Sequence, residues 1–131
     1  MSRELVASAA AAREQALAPY SGFKVGAALE TLDGRIYTGC NIENASYGLT
    51  VCAERVALWK ALSEGVREFR QIAIVTNAAI ITSPCGACRQ LLWEYCGDIV
   101  VHLHSLKGID QQHRLADLLP LPFDNNSLKG C

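Results

Sequence analysis

Nothing in this sequence is long and apolar enough to span a membrane, and no basic cluster, repeat, linker or low-complexity segment interrupts it. The nearest approach to an apolar run is the alanine tract Ala9–Ala12, which Arg13 and Glu14 cut short. The opening Met1-Ser2-Arg3-Glu4 is charged, so neither a secretory leader nor a membrane anchor is expected there. The expected location is therefore cytoplasmic. A net charge of −1, with acids and bases dispersed, lacks the stripe that nucleic acid or an anionic lipid surface would need. Without a linker, the 131 residues read as one domain spanning 1–131. Half of them are apolar and 19% charged, the composition of a folded globule rather than a disordered chain. In a reducing compartment the six cysteines stay thiols, which turns attention to metal binding or catalysis.

The apolar pattern alternates helices with strands. Residues 3–17 carry Leu5, Ala9, Ala12 and Ala16 at helical spacing, with Pro19 ending the run. Residues 25–32 and 35–42 flank Asp33-Gly34 as a hairpin, with both turn residues expected at positive φ. The first of these strands lacks polar alternation, so both its faces should be covered. Residues 53–63 form a helix released near Gly65, and 71–76 a short apolar strand. Ser83-Pro84 is expected to open a helix that stops at Gly97. A strand at 99–103 and a helical turn at 115–119 precede a polar tail. The order implies an α/β sandwich built on one mixed sheet.

Three cysteines stand at helix starts: Cys52 before one helix, Cys85 and Cys88 in the first turn of another. Residues three apart face the same way on a first turn. Helix N-termini stabilise thiolates, and zinc prefers them as ligands. Three protein ligands with an open fourth position describe a catalytic rather than a structural zinc. Glu54 follows Cys52 by two, a spacing that places them on nearly opposite faces inside a helix. Both can address one metal only if Cys52 is the cap, which leaves Glu54 beside the metal as a general acid/base. Arg55 is positioned to donate to thiolate sulfur and offset its charge. Other readings stay open for these residues taken singly. The C-x-x-C pair can be redox-active, Cys40 or Cys96 can complete a structural zinc site, and Glu54 can simply favour a helix dipole. His102 and His104 form an H-x-H pair that, lacking a third ligand, reads as a polar sheet face. Cys40 and Cys96 read as packed thiols, and Cys131 as an exposed one.

Cys52-Ala53-Glu54, followed some thirty positions later by Pro84-Cys85-Gly86-Ala87-Cys88, has the zinc-deaminase arrangement with Cys replacing the first ligand His. Around it the chain resembles the small cytidine deaminases that act on free nucleosides. The blocks Pro19-Tyr20-Ser21-Gly22-Phe23-Lys24-Val25-Gly26-Ala27-Ala28-Leu29 and Gly39-Cys40-Asn41-Ile42-Glu43-Asn44-Ala45-Ser46-Tyr47-Gly48-Leu49 carry the likeness. So do Ser83 to Gln90 and Leu118 to Phe123, the last with looser spacing. The resemblance implies a three-layer α-β-α sandwich with one mixed five-stranded sheet. It implies one zinc per chain on Cys52, Cys85 and Cys88, with Glu54 as proton shuttle. It further implies hydrolysis of cytidine and deoxycytidine to uridine and deoxyuridine in pyrimidine salvage. Phe23 would pack near the pyrimidine, Asn41 and Glu43 would bind the ribose 3′-hydroxyl, and the backbone of Ala53 would hold the base. Ala45, Tyr47 and Phe123 would reach a neighbouring subunit's site in a homotetramer. From the residues alone, Phe23 is equally a core side chain, and Asn41 and Glu43 a solvated strand edge. A polynucleotide deaminase would need a basic groove and aromatic platforms, and this chain is short and slightly acidic. An antibiotic deaminase fits the cysteines but not the Asn41–Glu43 pair. A non-enzymatic zinc module is the remaining class.

Overall fold

The computed structural model describes residues 3–130, so Cys131 and the first two residues of the charged start lie outside the described residues. The chain order is α1 (Arg3–Arg13), β1 (Gly26–Thr31), β2 (Ile36–Cys40), α2 (Ala53–Ser63), β3 (Phe69–Thr76) and α3 (Gly86–Cys96). There follow β4 (Val100–Ser105), β5 (Ile109–Arg114), α4 (Leu115–Leu118) and α5 (Asn125–Lys129). The five strands form one sheet in the order β2-β1-β3-β4-β5. Only β3 and β4 run parallel, and the other pairs are antiparallel, so the sheet is mixed as expected.

Two cores flank the sheet. Ala27 and Leu29 of β1 pack with α2 and α3 residues on one face, while Ala28 packs with Leu5 and Ala9 of α1 on the other. Burial of β1 on both sides explains its missing polar alternation. Two glycines set how closely the helices approach. A Cβ on Gly26 would lie 2.0 Å from the Ala9 carbonyl oxygen, and one on Gly39 would lie 2.4 Å from that of Ala53. Both obstacles are backbone atoms, which have no rotamer into which to retreat. Gly39→Ala should therefore cost about 3 kcal/mol through overpacking of α2 against β2. Urea unfolding of the two proteins checks this, and a loss below about 0.5 kcal/mol would contradict the close approach.

Several local expectations are corrected. Helix α1 ends at Arg13 rather than 17, because the Leu17 backbone is committed to residues 41–43. Its N–H donates to the Asn41 carbonyl at 3.0 Å, and its carbonyl accepts from Glu43 N–H at 2.8 Å. The hairpin turn is a three-residue loop in which Gly34 has φ of 93°, while Asp33 keeps an ordinary negative φ. Helix α3 starts at Gly86 with Cys85, not Ser83, as its cap. Strand β5 and helix α5 fall where the apolar pattern shows neither; β5 is a largely polar edge strand, and α5 is opened by an Asp124–Ser127 capping box. His102 and His104 lie on the α1 side of the sheet, in register with Ala73 and Val75. His102 pairs with Gln71 and His104 with Asp110; His102 is buried on this face, and its Nδ1 has no partner among the described residues. Cys40 and Cys96 are only partly buried.

Candidate active site

Cys52 is the cap of α2, in extended geometry with φ of −79° and ψ of 153°. Its side chain therefore turns away from the helical rotation, and Glu54 can face the same point from the first turn. Cys85 caps α3 in the same manner, and its sulfur accepts the Cys88 N–H at 3.4 Å. Before it, Arg89 ties down Ser83-Pro84, which lie outside the helix. Its Nε donates to the Pro84 carbonyl at 2.8 Å, and Nη2 to Ser83 Oγ at 2.6 Å. Nη1 reaches the Leu118 carbonyl at 2.7 Å and ties in the C-terminal segment.

The two helix starts bring the sulfurs of Cys52, Cys85 and Cys88 within 4.8 Å of one another. Tetrahedral zinc with Zn–S bonds of about 2.3 Å wants its sulfurs about 3.8 Å apart, so the thiols fit the ion with a small closure. Neither Cys40 nor Cys96 belongs to the cluster, which is the only such group found among the described residues. A four-cysteine structural site is therefore not formed. Cys88 is buried, whereas Cys85 is exposed, so the cluster opens on one side.

Without metal, the Cys52 thiol is lowered to about 6, first by a hydrogen bond from Cys88 and further by the Arg55 charge. The Cys88 thiol, as donor, is held well above its ordinary range. The Arg55 guanidinium interacts with Cys88, and its Nε is buried without a partner, a donor left over beside the sulfurs. Glu54 is 5% exposed, and burial pushes its carboxyl up to about 7.

A cleft of about 240 Å³ opens over this cluster, walled by Phe23, Asn41, Cys52, Ala53, Glu54 and Cys85. Phe23, 39% exposed, is thus cleft wall and not core. Asn41 is buried rather than solvated, and it lies beyond the end of β2. Its Oδ1 accepts Val25 N–H at 2.8 Å, and its Nδ2 donates to the Phe23 carbonyl at 2.7 Å. Glu43 lines an adjoining hollow with Tyr20, Ser21 and Tyr47, and Thr50 is common to both spaces. Its carboxyl is lowered by hydrogen bonds from the Ser21 hydroxyl and then the Ser21 amide. Tyr47 meets Tyr20 edge-on with ring centroids 6.0 Å apart. Ala45 and Phe123 are both exposed, Phe123 at 52%, and neither lines either space. Thr50, Val51 and Thr82, which the sequence did not single out, also line the cleft, as does Ser83, which was read only as a helix cap and part of a family block. Their signal was position: each closely precedes a capping cysteine.

Residues 1–103 match the family model described as the cytidine and deoxycytidylate deaminase zinc-binding region. The chain is 51% identical over 126 residues to a cytidine deaminase from Sporosarcina psychrophila, covering 95% of this chain and 93% of that protein. It is similar in structure to a cytidine deaminase from Burkholderia pseudomallei, with a TM-score of 0.89 and 49% identity, covering 94% of this chain and 100% of that one. A blasticidin-S deaminase from Bacillus cereus is 34% identical over 110 residues, 78% of each chain.

Proposed function

The chain belongs to the cytidine and deoxycytidylate deaminase family, and from that premise we propose that it hydrolyses cytidine and deoxycytidine to uridine and deoxyuridine, releasing ammonia. One observation carries this reading: a buried carboxylate, Glu54, shares a small cleft with a three-thiol cluster. Cys52, Cys85 and Cys88 would hold one zinc ion per chain. When bound, zinc supplies the Lewis acidity that brings a water's proton within reach of a carboxylate near neutral pH.

The remaining chemistry falls to side chains. Glu54 accepts a proton of the attacking water and delivers it to N3 of the pyrimidine, which makes C4 electrophilic. It takes the second proton as the water oxygen becomes the 4-oxo group, and passes it to the departing amino nitrogen. Both water protons are thereby accounted for, one on N3 and one on ammonia. Glu54 is the carboxylate in the cleft wall, so one group serves both transfers. Arg55 offsets the thiolate charge from behind the cluster. Phe23 covers one face of the base, and the backbone of Ala53 holds its edge. Asn41 and Glu43 bind the sugar 3′-hydroxyl.

Ala45, Tyr47 and Phe123 act on a neighbouring copy's site in a homotetramer. Their exposure in the single chain supports that role, Tyr47 being 75% exposed. One domain over 1–131, a cytoplasmic setting and a place in pyrimidine salvage complete the reading. No described helix is long and apolar enough to cross a membrane. The net charge of −1 favours a free nucleoside over a polynucleotide.

Zinc-loaded protein incubated with cytidine should give uridine, seen as the ultraviolet absorbance change, while blasticidin S turns over far more slowly. A folded protein holding one zinc per chain that leaves cytidine unchanged would overturn the assignment.

A further inference from the structure

The hydrogen bonds around Glu43 single out a side chain with no role so far. A carboxylate offers about four acceptor sites. Glu43 Oε1 accepts from the Tyr20 N–H at 2.9 Å and the Ser21 N–H at 3.0 Å, which uses both of its sites. Oε2 accepts from the Ser21 hydroxyl and keeps one site. The hydroxyl in turn accepts the Phe23 N–H at 3.0 Å. Asn41 grips the other end of the same residue through the Phe23 carbonyl. Ser21 therefore joins the carboxylate of the outer hollow to the aromatic wall of the cleft.

We propose that Ser21 is a positioning residue that aims the one open acceptor site of Glu43 at the sugar 3′-hydroxyl, and so sets the enzyme's preference for nucleosides that carry that group. The proposal rests on the reading of Glu43 as a sugar-binding residue. The backbone donors fix where Oε1 lies, but Ser21 alone occupies Oε2. Without its hydroxyl, the second Oε2 site goes to solvent, and the direction offered to a ligand donor is no longer unique. The Phe23 N–H also loses its acceptor, which affects the base and is common to all substrates. The sugar-directed part is separable because it vanishes when the substrate has no 3′-hydroxyl to donate.

The measurement is the ratio of kcat/KM for deoxycytidine to that for 2′,3′-dideoxycytidine, made on zinc-loaded wild type, Ser21→Ala, Ser21→Thr and Glu43→Gln. Zinc content and thermal melting confirm that each variant is folded and loaded. Ser21→Ala should lower the ratio about tenfold, mostly through a higher KM for deoxycytidine, whatever loss the two substrates share. Ser21→Thr, which keeps a hydroxyl, should restore the ratio to within about threefold of wild type. A Ser21→Ala ratio within about twofold of wild type, or a Ser21→Thr ratio as low as that of Ser21→Ala, overturns the proposal. A wild-type ratio retained in Glu43→Gln overturns it differently, by removing Glu43 from the sugar site. An inactive, zinc-loaded wild type would strike at the deamination reading itself.

Discussion

Glu54→Gln should keep one zinc per chain and lose about three orders of magnitude in kcat for cytidine, the scale set by loss of a positioned acid/base. The substitution preserves size and hydrogen-bonding atoms, and Glu54 stands outside the three-thiol cluster, so the metal site should survive. Gln cannot take up and return a proton, and among the described residues no other carboxylate lines the cleft to replace it. Zinc content and kcat measured on the same preparation separate the two effects. A variant that turns over within about tenfold of wild type would remove Glu54 from the proton path. Stability gives an independent sign. Burial raises the Glu54 carboxyl from 4.5 to about 7 in the metal-free chain, so the folded state binds more protons than the unfolded one between those values. The Glu54 contribution to the stability of the metal-free chain should therefore be lost as pH rises from 4.5 through 7, and it is read as the difference between wild type and Glu54→Gln. Metal-free Glu54→Gln, having no such proton to lose, should fall less over that window.

The three-thiol corner with Glu54 was readable because its spacing admits few geometries. A Cys and a Glu two apart cannot share a target inside a helix, so Cys52 had to be a cap, and its φ and ψ are those of one. The same logic misplaced the start of α3. Ser83-Pro84 has the chemistry of a cap and first residue, but Arg89 donates to both, and they lie before the helix, which Cys85 caps. That contact reaches back over several residues, and nothing in the Ser-Pro pair itself announces it. Leu17 was lost to the first helix for a related reason, since its partners lie at 41–43. Strand β5 carries Ile109 and little else apolar, so an edge strand paired mainly through its backbone left almost no trace in the pattern. Side-chain type also says little about which space a residue lines. Asn41 and Glu43 are two residues apart, yet one walls the cleft and the other the adjoining hollow.

Cys88→Ala should empty the metal site and abolish activity, the largest effect expected of any single change here. Cys88 is 1% exposed and sits between the cap Cys85 and the Arg55 guanidinium, so no water or surface side chain can readily take its place. Two thiolates without the third lose both a bond and the enclosure that makes the site selective. Zinc should fall below about a tenth per chain after dialysis against a mild chelator, under conditions where wild type keeps its ion. The consequence for folding follows from linkage: a ligand that binds only the folded state adds to its stability, so the loaded wild type should melt above the variant. Comparing metal-free proteins isolates the side chain itself, and there the two should differ by only about 1 kcal/mol, the cost of one small buried group. Cys40→Ala and Cys96→Ala, which lie outside the cluster, should bind zinc as wild type does. Loss of zinc from either would mean a fourth protein thiolate on the metal. That would close the position at which the substrate's water must be activated, and three thiols would no longer mark a catalytic site.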